Sequence, residues 1–91
     1  MLSREAHADV ARVHDWLFEK HPLAADRLLD VLAQAFESLG EISDRGRPID
    51  ADGLRELIVP FGSSSYVVRY EPAGDRVRVS RVWHGLEKRT P

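Results

Sequence analysis

The sequence predicts an α+β domain, with an N-terminal antiparallel helical hairpin packed on a small C-terminal antiparallel β-sheet. Three observations lead there. Apolar residues recur at helical spacing through the first part of the chain, they alternate at strand spacing from about residue 54, and turn-forming strings separate the alternating segments. Ninety-one residues, 43% hydrophobic and 31% charged, fit one soluble domain over 1–91. A chain this short buries a smaller fraction of its surface than a larger domain, so a partner, a second copy or a hetero-oligomer would add to its stability.

Ser3 is placed to cap a helix over about 4–20, on which Ala6, Val10, Val13 and Leu17 form one apolar stripe. Arg4, Glu5, Asp9, Arg12 and Glu19 lie largely off it. Pro22 disfavours a helical His21 and suits the first position of a second helix, about 22–39, with Leu28, Leu32, Ala35 and Leu39 on its stripe. Gly40 is expected to supply a left-handed stop. A polar loop follows over 40–53. Strands are expected at about 54–60, 65–71 and 76–84, joined by "GSS" and "PAGD" into a three-stranded meander. Simple alternation would put Val77, Val79, Arg81 and Trp83 on one face and Arg76, Arg78, Ser80, Val82 and His84 on the other.

No cysteine is present, which removes disulfides, thiolate nucleophiles and cysteine-based metal sites and suits a reducing cytoplasm. The longest apolar runs, such as "LIVPF", fall far short of the roughly 18 residues that span a bilayer, and the charged "SREAHADV" start is unlike a signal peptide, so no membrane role is expected. Charge is distributed unevenly. Residues 1–68 carry 7 Lys and Arg against 12 Asp and Glu, whereas residues 69–91 carry 6 against 3. The C-terminal segment is therefore where an acidic partner would bind.

His7, His14 and His21 recur every seventh residue, but that spacing separates them by about 10.5 Å along a helix, too far to converge on a metal. Neither a metal nor a cofactor is expected. The serines at 63–65 lack the surroundings of a nucleophile, and "GSSSY" lacks the lysine and helix of a phosphate loop. The strongest candidate is the corner at Arg81, Trp83, His84 and Gly85. One reading makes it a polar constellation, with His84 transferring protons or hydrogen-bonding and Arg69, Arg76, Arg78 and Arg81 holding phosphates or carboxylates. The other puts Trp83 in the core, has His84 capping the strand and leaves the arginines as edge protection.

Several strings, in order, resemble the RelE/ParE superfamily of type II toxin-antitoxin toxins. "SREAHADVARVHDWL" is similar to the opening of its first helix and "ADRLLDVLAQAFESLGE" to its second; "GRPI", "LRELIVPFGSSSYVVRY" and "VRVSRVWHGLEKR" resemble its C-terminal sheet, including R-x-x-H-x-x-E at Arg81, His84 and Glu87. The resemblance implies a helix pair on an antiparallel sheet and a cytoplasmic toxin neutralised by a cognate, ParD-like antitoxin. Two mechanisms are open to such a toxin: RelE-like cleavage of mRNA on the ribosome, and ParE-like inhibition of DNA gyrase without covalent chemistry. No aromatic acid-base residue follows His84, where "GLEKRTP" ends the chain, so the ParE-like branch is the expected one, with plasmid stabilisation and growth arrest as its biology. An RNase would have to use His84, Arg81 and Arg69 as its catalytic set. A decayed toxin that only binds its antitoxin is a further alternative.

The expected partner-binding cluster is Arg69, Arg81, Trp83, His84 and Glu87, with Arg76 and Arg78 as secondary electrostatic contacts. Only Met1 and Leu2 precede Ser3, so the strand that usually opens the family is expected to be short or missing. An absent strand would leave a sheet edge for another chain to pair with.

Overall fold

The computed structural model describes residues 1–89, so the end of the expected domain at Thr90 and Pro91 lies outside the described residues. Helix α1 spans Arg4–Phe18 and helix α2 Pro22–Glu41; strands β1 (Arg47–Pro48), β2 (Arg55–Phe61), β3 (Ser64–Ala73) and β4 (Arg76–His84) follow. The hydroxyl of Ser3 accepts from the Ala6 amide at 3.0 Å, which satisfies one of the free donors of the first turn of α1. Pro22 opens α2 as its first residue, where its missing N–H removes no helical bond. Gly40 does not stop the helix. It stays out of the left-handed region while α2 continues to Glu41, because local helical bonding continues across it.

All four strands are antiparallel in the order β1-β2-β3-β4, so the expected meander gains a strand from inside the 40–53 loop. Two anchors hold that loop. The Gly46 amide donates to the Tyr70 hydroxyl at 2.6 Å, and the Arg55 guanidinium donates to the carbonyls of Gly46 and Asp44. The core forms where Ala6 and Val13 of α1 and Leu28, Leu32, Ala35 and Leu39 of α2 meet Leu57, Val59, Tyr66, Val68, Tyr70, Val77, Val79 and Val82 of the sheet. Truncating any one of the buried leucines to alanine is expected to cost about 2–5 kcal/mol.

Two departures from the sequence reading reorganise the C-terminal strand. Arg69 pairs with Arg81 but Tyr70 pairs with Val79, so Ser80 has no partner across the ladder and forms a bulge. The extra residue reverses the alternation. Val77, Val79 and Val82 all face the helices, while Arg81 and Trp83 turn to the outer face, contrary to the simple alternating pattern.

The second departure concerns the outer edge of β4, beside residues 1–3. Leu2 forms a single parallel bridge with Val79, whose amide donates to the Met1 carbonyl and whose carbonyl accepts from the Ser3 amide, both at 2.8 Å. Side chains close the rest: the Ser3 hydroxyl donates to the Ser80 carbonyl, Asp9 Oδ2 accepts from the Val82 amide, Arg12 donates to the Val82 carbonyl and Glu87 accepts from the His84 amide. The edge of β4 therefore has its own helix and tail as partners, and the expected open edge is not there.

Candidate functional site

Asp9 organises the site. Sequence periodicity puts it off the apolar stripe of α1, yet it is only 3% exposed, because the side chain turns toward the edge of β4. It accepts from Arg81 Nε at 2.7 Å and Arg81 Nη2 at 3.2 Å, from Arg12 Nη1 at 2.6 Å and from the Val82 amide at 2.9 Å. Burial pushes the Asp9 carboxyl up, but the bonds from Arg81, Val82 and Arg12 outweigh it and hold the group below its ordinary value. Arg12 continues the network, donating Nε and Nη2 to the two oxygens of Glu87 at 3.2 and 3.1 Å. Burial likewise raises Glu87, and the Arg12 fork with the His84 amide brings it below the ordinary glutamate value.

That clamp fixes the turn after β4. The Leu86 amide donates to His84 Nδ1 at 3.1 Å, and the Gly85 amide donates to the Ser65 carbonyl at 2.7 Å. Gly85 is needed there, since a Cβ would stand 2.6 Å from Ser65 Oγ and 3.0 Å from its carbonyl oxygen. The His84 ring lies edge-on to Tyr66 with centroids 5.1 Å apart and faces Trp16 of α1 at 5.8 Å. These rings, with Val13, Leu86, Arg12 and Glu87, wall a cleft of about 310 Å³.

The predicted cluster is divided between two faces of the sheet. His84 and Glu87 meet in the cleft, joined by Arg12, Trp16 and Tyr66, which the sequence reading does not single out. Arg69, Arg81 and Trp83 meet on the outer face, where both guanidinium carbons lie 4.8 Å from the centre of the Trp83 ring. There Arg69 donates to the buried Glu56 at 3.1 and 2.8 Å, and Arg47 and Arg89 lean on the same carboxylate. Arg78 pairs with Glu71 and Arg76 sits beside the β3–β4 turn, roughly 20 Å or more along the strand from His84. A signal for Asp9 was present in the quoted "HADVARV" string, as an acid one helical turn before an arginine, but only the tertiary contact with Val82 gives it meaning.

Chemically, the set His84, Arg81 and Arg69 does not converge on one point. Tyr66 stands close to His84, but burial first and the nearby Glu87 charge second raise its hydroxyl above the ordinary tyrosine value, so near neutral pH it is a hydrogen-bond donor and not a base. Among the described residues no three His, Asp or Glu side chains group as metal ligands, and no helix is long and apolar enough to cross a membrane.

A family profile described as "ParE toxin of type II toxin-antitoxin system, parDE" matches residues 1–89. The chain belongs to this toxin family. It is 45% identical over 89 residues to the toxin RelE1 of Caulobacter vibrioides, covering 98% of this chain and 95% of that one, and 38% identical over 88 residues to the toxin RelE3 of the same organism, covering 97% and 95%. A solved chain from the "Chromosomal ParDE TA system from P. aeruginosa" superposes with a TM-score of 0.77 at 20% identity, over 91% of this chain and 90% of that one, and so shares the toxin's fold. The toxin is thus a type II toxin-antitoxin toxin of the ParE/RelE superfamily.

Proposed function

We propose that this toxin acts in the ParE manner, arresting growth by binding DNA gyrase in the cytoplasm, and that a cognate ParD-like antitoxin neutralises it. The carrying observation is where the cations go. Cleavage of RNA by attack of a 2′-hydroxyl needs an acid, a base and positive charge beside the phosphate. Here Arg81 and Arg12 are tied to Asp9, Arg69 bonds Glu56 on the other face, and the surface that the cleft beside His84 exposes is mainly apolar, although Arg12, His84 and Glu87 help to line it. The exposed Leu86 and Trp16 beside it are apolar surface of the kind that contacts another protein. The family profile, described as ParE, supports the same reading.

A second reading has its own support, since the relatives at 45% and 38% identity are named RelE toxins. Ribosome-dependent mRNA cleavage is the activity that name suggests. Induced expression in a bacterium, following DNA, RNA and protein synthesis separately with plasmid supercoiling, separates the two. Early arrest of DNA synthesis with altered supercoiling is expected, together with inhibition of purified gyrase. Early loss of translation with cut transcripts would replace gyrase by the ribosome, and normal growth would leave an antitoxin-binding module.

A further inference from the structure

His84 is the last residue of β4, and hydrogen bonds from three of its groups tie it to the turn that follows. Its carbonyl accepts from the Glu87 amide at 2.9 Å, its amide donates to Glu87 Oε1 at 2.8 Å, and its ring Nδ1 accepts from the Leu86 amide at 3.1 Å. The first bond involves no titrating group, and the second uses a carboxylate held below its ordinary value. The third is different. A backbone amide only donates, so Nδ1 must offer its lone pair and the neutral ring keeps its proton on Nε2. A second proton on the ring sets one N–H against another, and the bond is lost.

The surroundings give a charged ring no substitute for that bond. From α1 come Arg12 and, 4.0 Å over the Trp16 ring, the Lys20 ammonium; Asp9 is bonded to Arg81, Arg12 and the Val82 amide, Asp15 is turned to His14, and Glu19 follows Trp16 by one helical turn. From β3 comes Tyr66, whose raised hydroxyl is neutral. The tail brings Glu87 and Lys88. Glu87 attracts an imidazolium, but its oxygens are held by Arg12 and the His84 amide, and attraction from there does not relieve the opposed N–H groups at Nδ1. The turn also directs the chain beyond it, since Leu86 and Glu87 wall the cleft and Arg89 Nε lies 3.7 Å from Glu56 Oε2.

We infer that the His84 ring is a proton-operated latch on the 84–87 turn: the neutral ring closes it, and the doubly protonated ring releases Leu86 and loosens the tail that walls the cleft. A proton excluded from the closed turn opens it by linkage, so the closed form prevails on the alkaline side of the ring's titration and gives way on the acid side. The latch belongs to the free chain. It holds whichever target the toxin has.

The test follows the isotope-labelled full chain by nuclear magnetic resonance from about pH 8 to about pH 5, reading the His84 ring resonances beside the protection of the Leu86 amide against exchange, relative to an unstructured peptide at the same pH. Protection at Leu86 should fall about threefold to tenfold, as the loss of one hydrogen bond does, with the midpoint of the ring's own titration. Protection at Val68, in the middle of the sheet, should stay constant, which separates an open turn from an unfolded chain. Two variants fix the latch in its two states, and His84 lies outside the core cluster, so both should fold. His84→Asn places an oxygen where Nδ1 stands and keeps a bond to the amide two residues on, the geometry of an Asx turn, so Leu86 should stay protected throughout. His84→Phe offers no acceptor, and Leu86 should be as weakly protected at every pH as in the acid form of the parent. Protection at Leu86 that is constant through the ring's titration, an acid step that persists in His84→Asn, or parental protection in His84→Phe would each overturn the inference.

Discussion

At the edge of β4 a carboxylate from a helix is 3% exposed, and on the outer face of the sheet a carboxylate from a strand, Glu56, is 4% exposed. Both face arginines, but Asp9 accepts a backbone amide and joins α1 to β4, while among the described residues the Glu56 carboxylate is paired with arginine side chains alone, the nearest from the adjoining strand. Asp9 thus stands where a strand would otherwise pair. The arginines around Glu56 include a largely exposed Arg47, which water can solvate if the carboxylate is lost; the Val82 amide has no such recourse. Equal burial therefore does not mean equal importance.

The largest expected effect follows directly. Asp9→Ala should destabilise the chain by about 3–5 kcal/mol, as removal of one partner from a buried charge network does, and Glu56→Ala by only about 1–3 kcal/mol. Urea unfolding of the two variants measures both, and equal losses would break the comparison. Next comes the tail that ties the regions together, with Glu87 on Arg12 and Arg89 near Glu56. Gly85→Ala meets Ser65 at 2.6 Å and should cost about 1–3 kcal/mol, whereas Gly40→Ala, with nothing within 4 Å and a helical position, should stabilise by roughly 0.5–1 kcal/mol. Thermal melts followed by circular dichroism report both signs.

Acid sharpens the comparison further. The folded carboxyls of Asp9 and Glu87 lie below their ordinary values of 3.8 and 4.5, so the folded state binds fewer protons than the unfolded one in that range. Their stabilisation is fully present above those values and is lost as pH falls through the lower folded ones. Asp9→Asn should flatten that acid limb in urea titrations taken at successive pH values, and an unchanged limb would assign it to other groups. The smallest effect belongs to His14, raised above 6.5 by Asp15 and then by Asp26 of α2. Its contribution is present below 6.5 and fades as pH rises through the raised folded value; in His14→Gln the slight alkaline loss of stability should disappear.

The fold class was legible because its signals are local. Ser3, Pro22 and the stripes through Leu28, Leu32 and Leu39 state two helices by spacing and backbone chemistry alone, and the β-branched runs state an antiparallel sheet. The site was legible only in part. His84 and Glu87 were found as neighbours in sequence, three residues apart, but Arg12, Trp16 and Tyr66 reach them from 18 to 75 residues away and carry no mark of it.

By itself, then, the sequence determined the two helices and the three long strands, that the C-terminal part is basic, and that cysteine chemistry is absent, while the short β1 inside the 40–53 segment was not legible. The tertiary structure decided the rest. One unpaired residue, Ser80, turned Trp83 away from the helices and Val82 toward them, because side chains alternate with period two and a single insertion reverses every position after it. Asp9 was decided the same way: its carboxylate is a solvated helix charge until β4 brings it an amide and a guanidinium from more than 70 residues away, and the need to satisfy buried polar groups then makes it the joint of the molecule.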